Sequence, residues 1–537
     1  MNELLLTLAW SAPLLMLAFV RGRFAGILMP LAVIPALLAA ILVSEGTLVE
    51  IPWLLLGLTL QLDALGKTFL MFSAVMWLFA ALYAYLTMGG DMRLGRFGAF
   101  FLLACGGNML LIVAADIVGF YLGFALMGLA ATGLIAHRRS QHVRRAGRIY
   151  LAWTLAGEMA IFSAVVLLAQ GMDSLRFSDL AASSIPEPAV ALLLFGFGIK
   201  IALPGLHFWL PLAYSAAPAA AAAVLSGPMI SAGVLGWIRF LPPGDPTLTA
   251  WAETLISAGA VGTALGIAGG LLQRDPRAVL GYSSIAKMGL ITAAFGAALA
   301  RPEAAPGILA ALSVFTMHHL MLKGTLFLGL GEWQRNGPRP WLVAVFGILC
   351  LAMMGMPYSS GAGTKSMLAD RIAASELDFA LLFGFSAVGT VLLMTKFVWL
   401  TLPHRVPASA RFDRASLVWV ALASLAILLP FTQTTLPLSS SGLGAIVAGL
   451  AIVAAYAVIR RQGALVLPSV PPGDLLYLVG SVRRIWTGKT RWQDLTLSPR
   501  ALMSTAARPR PAAAGTVGVL VWLLVCVFLL ALGLVPG

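Results

Sequence analysis

The sequence predicts an all-α integral membrane protein of about 14–16 transmembrane helices, with two inverted five-helix repeats and breaks in helices 7 and 12. Three observations lead there: scarce charge, apolar runs of bilayer length from end to end, and arginine that collects in every second loop. The chain has 537 residues, of which 60% are hydrophobic and only 10% charged, with a mean hydropathy of +0.94. A soluble domain carries about 25% charged residues, so this chain lacks the polar surface to face water all round.

The spans read in order near 3–20, 25–43, 66–88, 98–115, 117–136, 147–169, 189–212, 217–240, 251–272, 279–299, 305–330, 341–364, 378–401, 415–433, 441–459 and 516–535. No charged region precedes the first run and no small-residue cleavage site follows it, so it reads as an uncleaved helix. Cys105, Cys350 and Cys526 fall inside apolar runs without metal-ligand spacing, which argues against a disulfide or a zinc site. Walker loops, CxxC pairs and a strand-borne GxGxxG are missing, so no cofactor is expected in this chain.

The net charge of +14 follows topology rather than nucleic acid. Arginines collect after odd-numbered spans: Arg21 and Arg23, Arg93 and Arg96, the run HRRSQHVRRAGR at 137–148, Arg274 and Arg277, Arg335 and Arg339, then Arg405, Arg411 and Arg414. Even loops are neutral or acidic, with Glu45, Glu50 and Asp63 after the second span and Asp173, Asp179 and Glu187 after the sixth. Under the positive-inside rule the basic loops are cytoplasmic and both termini lie outside, in the cell membrane of a prokaryote.

Two spans are interrupted. The seventh, FGFGIKIALPGLHFWLP, places Pro204 and Gly205 in mid-membrane beside Lys200 and His207. The twelfth, GMPYSSGAGTKSML, sets Pro357, Gly361 and Gly363 ahead of Lys365. Proline removes a backbone donor and clashes with the preceding turn, and unwound backbone survives in a bilayer only where protein or a watery cavity covers it. The breaks lie five helices apart, and an odd offset enters the membrane from the opposite side. Two inverted units, 98–240 and 251–401, are therefore expected, flanked by N-terminal helices over 1–97 and a C-terminal part over 402–537.

Ionisable side chains inside spans cost at least roughly 2.5–3.5 kcal/mol each and need a reason. Lys67 and Lys396 lie near span ends and read as snorkelling. Glu158 in the sixth span and Lys200 in the seventh are natural partners, as a static ion pair or a titratable one. The eleventh span puts His319 and Lys323 four residues apart on one helical face with His318 alongside, a pattern suited to proton relay. Lys365 is expected to project into the same polar core, while Asp370 and Glu376 either cap their helix or face water. The run 138–148 reads as a topology determinant.

Several of these stretches resemble the antiporter-like subunits shared by respiratory complex I (its L, M and N subunits), membrane-bound hydrogenases and Mrp cation/proton antiporters. KIALPGLHFWLP resembles that family's lysine, proline break and H-x-W-L-P; Pro218 with AAAVLSGPMISAGVLGWIRF resembles its next helix. LGYSSIAKMG, MHHLMLKGTLFLGLG and GMPYSSGAGTK resemble three further signatures, and all five occur in family order across about 100–400. The resemblance implies a fourteen-helix core with two half-channels and a midplane polar axis. It makes Lys200 the first-half lysine, His319 and Lys323 the connecting relay, and Lys365 the exit lysine. Two departures stand out: Ala125, in YLGFALMG, where the family carries a glutamate, and Ser231, where it often carries a lysine. Glu158 is the candidate replacement for the missing carboxylate.

The expected function is then a proton-translocating subunit of a multisubunit Mrp-type antiporter, working with other membrane subunits, protons and Na+ in the lipid bilayer. The length and the basic, Trp-containing segment 471–495 are closest to an Mrp D-type tail. The membrane arm of a complex I-like or hydrogenase-like redox enzyme, or of an inorganic-carbon uptake system, is the alternative; a non-transporting structural role is another. No catalytic centre is read in this chain, so redox coupling would come from partners.

Overall fold

In the computed structural model, residues 1–20, 24–54, 56–172, 174–402, 412–433, 442–461 and 472 are described. The segment 471–495, the last span, Cys526, Arg21, Arg23, Asp173, Arg405 and Arg411 therefore lie outside the described residues, apart from Pro472.

The helices are α1 (Asn2–Met16), α2 (Phe24–Leu42), α3 (Ala64–Thr87), α4 (Leu94–Val113), α5 (Ile117–Ile135), α6 (Gln141–Ala169) and the short α7 (Phe177–Leu180). Next come α8 (Glu187–Ile201), α9 (Trp209–Ala216), α10 (Ala219–Ser226), α11 (Pro228–Phe240), α12 (Pro246–Leu271), α13 (Pro276–Ala300) and α14 (Ala305–Asn336). The chain continues with α15 (Pro340–Met354), α16 (Ser360–Ala373), α17 (Ala380–Thr401), α18 (Arg414–Gln433) and α19 (Leu443–Arg461). Among the described residues, 12 helical stretches are long and apolar enough to cross a membrane. The protein is an all-α, multi-pass integral membrane protein, and α8–α9 and α15–α16 are its expected broken spans.

Local chemistry sets the helix starts. Asp63, Asp116, Ser140, Asp245, Asp275 and Ser359 each accept a hydrogen bond from a first-turn N–H, satisfying donors that the helix itself leaves open. After Asp245 and Asp275, proline takes the first helical position, where a missing N–H costs nothing. Glycine sets the closest helix contacts. A Cβ on Gly107 of α4 would stand 2.6 Å from the Gly123 carbonyl oxygen of α5, and one on Gly259 of α12 would stand 2.5 Å from the Gly289 carbonyl oxygen of α13. Each expected unit thus opens with a helix pair joined backbone to backbone.

Contacts between loops test the span count. Arg239 forks onto Asp63 at 2.6 and 2.7 Å, Arg176 reaches Glu50 at 2.5 Å, and Asp245 accepts from the Ile185 N–H at 2.8 Å; all join even-numbered loops. His137 meets Asp91 at 2.7 Å, Arg277 reaches the Ala217 carbonyl at 3.0 Å, and Arg335 pairs with Asp413; all join odd-numbered loops. The acidic and basic loops therefore occupy opposite ends of the helix array.

Two features go beyond the sequence pattern. The loop after α2 forms an antiparallel hairpin of β1 (Leu48–Ile51) and β2 (Leu58–Gln61), tied to α5 by Asp116, which accepts from the Thr59 N–H at 2.8 Å. The eighth span is also interrupted, at Gly227, between α10 and α11. Pro228 donates nothing, and its carbonyl instead accepts from Asn108 Nδ2 at 3.3 Å and Ser231 Oγ at 2.8 Å.

Candidate functional site

The first break forms because α8 ends in a left-handed turn. Ala202 has φ 63° and Gly205 φ 82°, and the Leu203 N–H reaches back to the Gly198 carbonyl at 3.0 Å. That conformation costs alanine roughly 1–2 kcal/mol, so surrounding contacts must hold it. One of them is Trp209 at the start of α9, whose Nε1–H donates to the Ile199 carbonyl at 2.9 Å. The break places Lys200 in the last turn of α8, where the partial negative end of the helix favours a cation.

Lys200 is buried. Its Nζ donates to the Tyr150 hydroxyl at 3.2 Å and lies 5.7 Å from the ring centres of both Phe124 and Tyr150. Glu158, two turns after Tyr150 on α6, is 2% exposed and close enough to feel the Lys200 charge. No contact within ion-pair distance joins them among the described residues, and Glu158 Oε1 has no hydrogen-bond partner there. That oxygen lies only 2.5 Å from where a Cβ on Gly128 of α5 would stand. A carboxylate carried by α6 is thereby pressed against α5, one turn from Ala125.

The second break runs over 355–359, with Gly355 at φ 78° and Tyr358 at φ 63°. Gly361 is not in the break itself but in the first turn of α16, where a Cβ would meet the Ala352 carbonyl oxygen at 1.8 Å; the half-helices cross so closely that only glycine fits. His318 on α14 ties down the second half-helix, with Nδ1 3.2 Å from Thr364 Oγ1 and Nε2 3.1 Å from Ser360 Oγ. Both of its nitrogens are therefore committed to α16, and it acts as a clamp.

His319 is stacked on Phe315, and its Nε2 has no hydrogen-bond partner among the described residues. Lys323, completely buried, donates to the Leu280 carbonyl of α13 at 3.1 Å. Lys287, also on α13, donates to Ser386 Oγ of α17 at 3.0 Å. A cavity of about 20 Å³ is lined by Lys287, His318, His319 and Lys365, room for one water molecule. His319 and Lys365 thus border one cavity together with Lys287, which is not among the residues singled out from the sequence, and Lys323 lies close to Lys287 and His319 without lining it. Electrostatic reach links Lys287 with Lys365, with Lys323 and with His319. No carboxylate is among the residues that line this cavity.

Between the two groups, the ring of His207 in the first break lies 6.3 Å from that of Tyr282 on α13, two residues from Leu280. At the ends of the spans, Lys67 donates to the Val43 carbonyl at 3.3 Å and Lys396 to the Leu271 carbonyl. Asp370 and Glu376 are exposed at the end of α16. Among the described residues no group of three or more His, Cys, Asp or Glu side chains has metal-binding geometry.

Residues 114–393 match the family described as NADH:quinone oxidoreductase/Mrp antiporter, transmembrane. The chain belongs to this family. Relatives include hydrogenase-4 component B of Escherichia coli, 28% identical over 58% of this chain and 50% of that protein. Another is the N subunit of NADH-quinone oxidoreductase from Desulforudis audaxviator, 30% identical over 58% of this chain and 66% of that protein. The A/B subunit of a probable K(+)/H(+) antiporter of Rhizobium meliloti is 27% identical over 59% of this chain and 33% of that protein. The chain spans about half the length of the first of these relatives. Its fold is that of a chain in the Mrp complex from Dietzia sp. DQ12-45-1b, with TM-score 0.68 and 20% identity over 80% of this chain and 94% of that one. It is equally that of a chain in the membrane-bound sulfane sulfur reductase, an archaeal respiratory membrane complex, with TM-score 0.69 and 18% identity over 84% and 99%.

The family's Y-S-S-I-x-x-M-G signature contains Lys287 at its second variable position. In the sequence the motif masks this residue, because the stretch stands out for its pattern and not for a charge in mid-span. The rule that flags Lys200 and Lys323 flags it equally. Ser231, in place of a family lysine, is engaged with the Pro228 carbonyl.

Proposed function

We propose that this chain is a proton-translocating subunit of a multisubunit membrane assembly of the cation/proton antiporter type, in which protons pass among buried Lys, His and Glu side chains. The observation that carries this reading is the water-sized cavity between Lys287, His319 and Lys365. Three basic groups around one water is an arrangement for passing a proton and a poor one for stability, since each charge opposes the others. The two inverted units, 98–240 and 251–401, would each supply one half of the route at its broken helix, with His207 and Tyr282 between them. The side bearing the arginines is cytoplasmic on the positive-inside rule. The hydrogenase-4 relative and the sulfur reductase fold match favour a second reading, in which the same route serves the membrane arm of a redox complex. In both readings the partners are other membrane subunits.

In the first unit, Glu158 takes the role of the carboxylate absent at Ala125, delivered from α6 through the gap at Gly128. Membrane vesicles carrying the assembly and a pH-sensitive dye test both halves. Lys365→Ala is expected to lower proton movement at least about tenfold, and Glu158→Gln by a similar factor. Restored transport in Ala125→Glu/Glu158→Gln would confirm that one carboxylate serves from either helix. Unchanged transport in Lys365→Ala would overturn the proton route, whereas unchanged transport in Glu158→Gln alone would remove only Glu158 from it.

A further inference from the structure

A second, larger cavity lies at the end of the molecule that carries the basic loops. It has a volume of about 350 Å³ and is walled by the ends of α3, α10 and α14 together with Asp91, His137, Arg138 and Arg277. At about 30 Å³ per water it holds on the order of ten waters, far more than the relay cavity. Its depth is that of lipid headgroups rather than of the bilayer midplane, because its lining comes from helix ends and loops.

The charges around it are unevenly paired. Asp91 is engaged by His137 at 2.7 Å, and Arg335 is held between Glu332 and Asp413. Arg277, 8% exposed, donates among the described residues to neutral acceptors, the Ser215 carbonyl at 3.4 Å, the Ala217 carbonyl at 3.0 Å and Gln334 Oε1 at 3.3 Å; Asp275 attracts it through space without a direct bond. Arg138 is exposed and has no carboxylate partner among the described residues. The two guanidiniums are near enough to repel each other. The first turn of α10, Ala219 and Ala220 with Pro218 before it, also borders the cavity. A helix start adds open N–H groups and a partial positive charge.

The structure assigns this cavity as a binding site for a phosphate-bearing anion held by Arg138 and Arg277. Planar guanidinium groups match phosphate oxygens with paired hydrogen bonds, and basic pockets between transmembrane helices suit anionic lipid headgroups. Bound phosphate also relieves the repulsion between the two arginines. Arg138 then has a task beyond setting topology, and this site is separate from the relay.

The experiment uses the purified assembly containing the full chain, with two probes: tetraoleoyl cardiolipin counted by native mass spectrometry, and inorganic phosphate titrated calorimetrically. Two variants spare the buried Arg277. Arg138→Glu reverses an exposed charge, and Gly90→Asp places a carboxylate at the rim, where a Cβ meets nothing within 4 Å. Binding of at least one probe is expected to weaken about tenfold or more in both variants. Loss confined to cardiolipin identifies a lipid headgroup as the occupant; loss confined to phosphate identifies a soluble oxyanion. Equal binding of both probes by the parent and both variants, or by none of them, would overturn the assignment.

Discussion

Lys323→Met is expected to reduce proton translocation about 100-fold while the chain still inserts and assembles. Lys323 has no exposed surface, and among the described residues its side chain donates to the Leu280 carbonyl alone. Methionine keeps most of its volume and its unbranched reach, so packing around α13 and α14 survives. What disappears is the group proposed to pass a proton between His319 and Lys287, both within electrostatic reach. Lys67→Met is the matching control. Lys67 sits in the first turn of α3 and touches the Val43 carbonyl, so translocation is expected to change less than about twofold. Dye-reported proton uptake, normalised to the amount of assembled chain, measures both.

Gly361→Ala is expected to destabilise the protein by about 3 kcal/mol, at the upper end for overpacking. The added Cβ would lie 1.8 Å from the Ala352 carbonyl oxygen. Both sides of that contact are backbone, so no side chain can swing away. Relief requires α16 to move off α15, which would pull Ser360 and Thr364 from His318 and displace Lys365 from the cavity. Gly347→Ala on α15 is the control, because a Cβ there meets nothing within 4 Å. Thermal unfolding in detergent is expected to shift downward for the first variant and stay unchanged for the second.

Much of this is legible in the sequence, because a bilayer leaves few choices. The all-α membrane class follows from apolar run length, and the loop-to-loop contacts given above join loops of like parity, as the arginine placement leads one to expect. The breaks are visible at Pro204 and Pro357, where glycine lies within two residues of the proline; proline alone does not end a span, since Pro30 and Pro35 stay inside α2. Gly227–Pro228 obeys the same rule but is masked by the uniformly apolar run around it. The hairpin at 48–61 is hidden because its strands are only 4 residues each, too short for alternation to stand out. Within the site, side-chain type identifies the buried charges but not their partners. His318 and His319 are adjacent in sequence, yet the turn of about 100° per residue in a helix gives one to α16 as a clamp and leaves the other at the cavity. Gly128 carries no signal at all, since its meaning depends on Glu158 arriving from another helix.

The central question is whether the buried lysines release protons or merely carry charge. Arginine separates the two, because it keeps the positive charge and does not deprotonate in proteins. Proton flux into reconstituted vesicles under an imposed gradient is the direct measurement, with Lys200→Arg and Lys365→Arg compared with the parent. Flux is expected to fall at least about tenfold in each, with both assemblies intact by mass. Parental flux in both arginine variants would contradict the proton route, because a fixed charge would then do everything these lysines do.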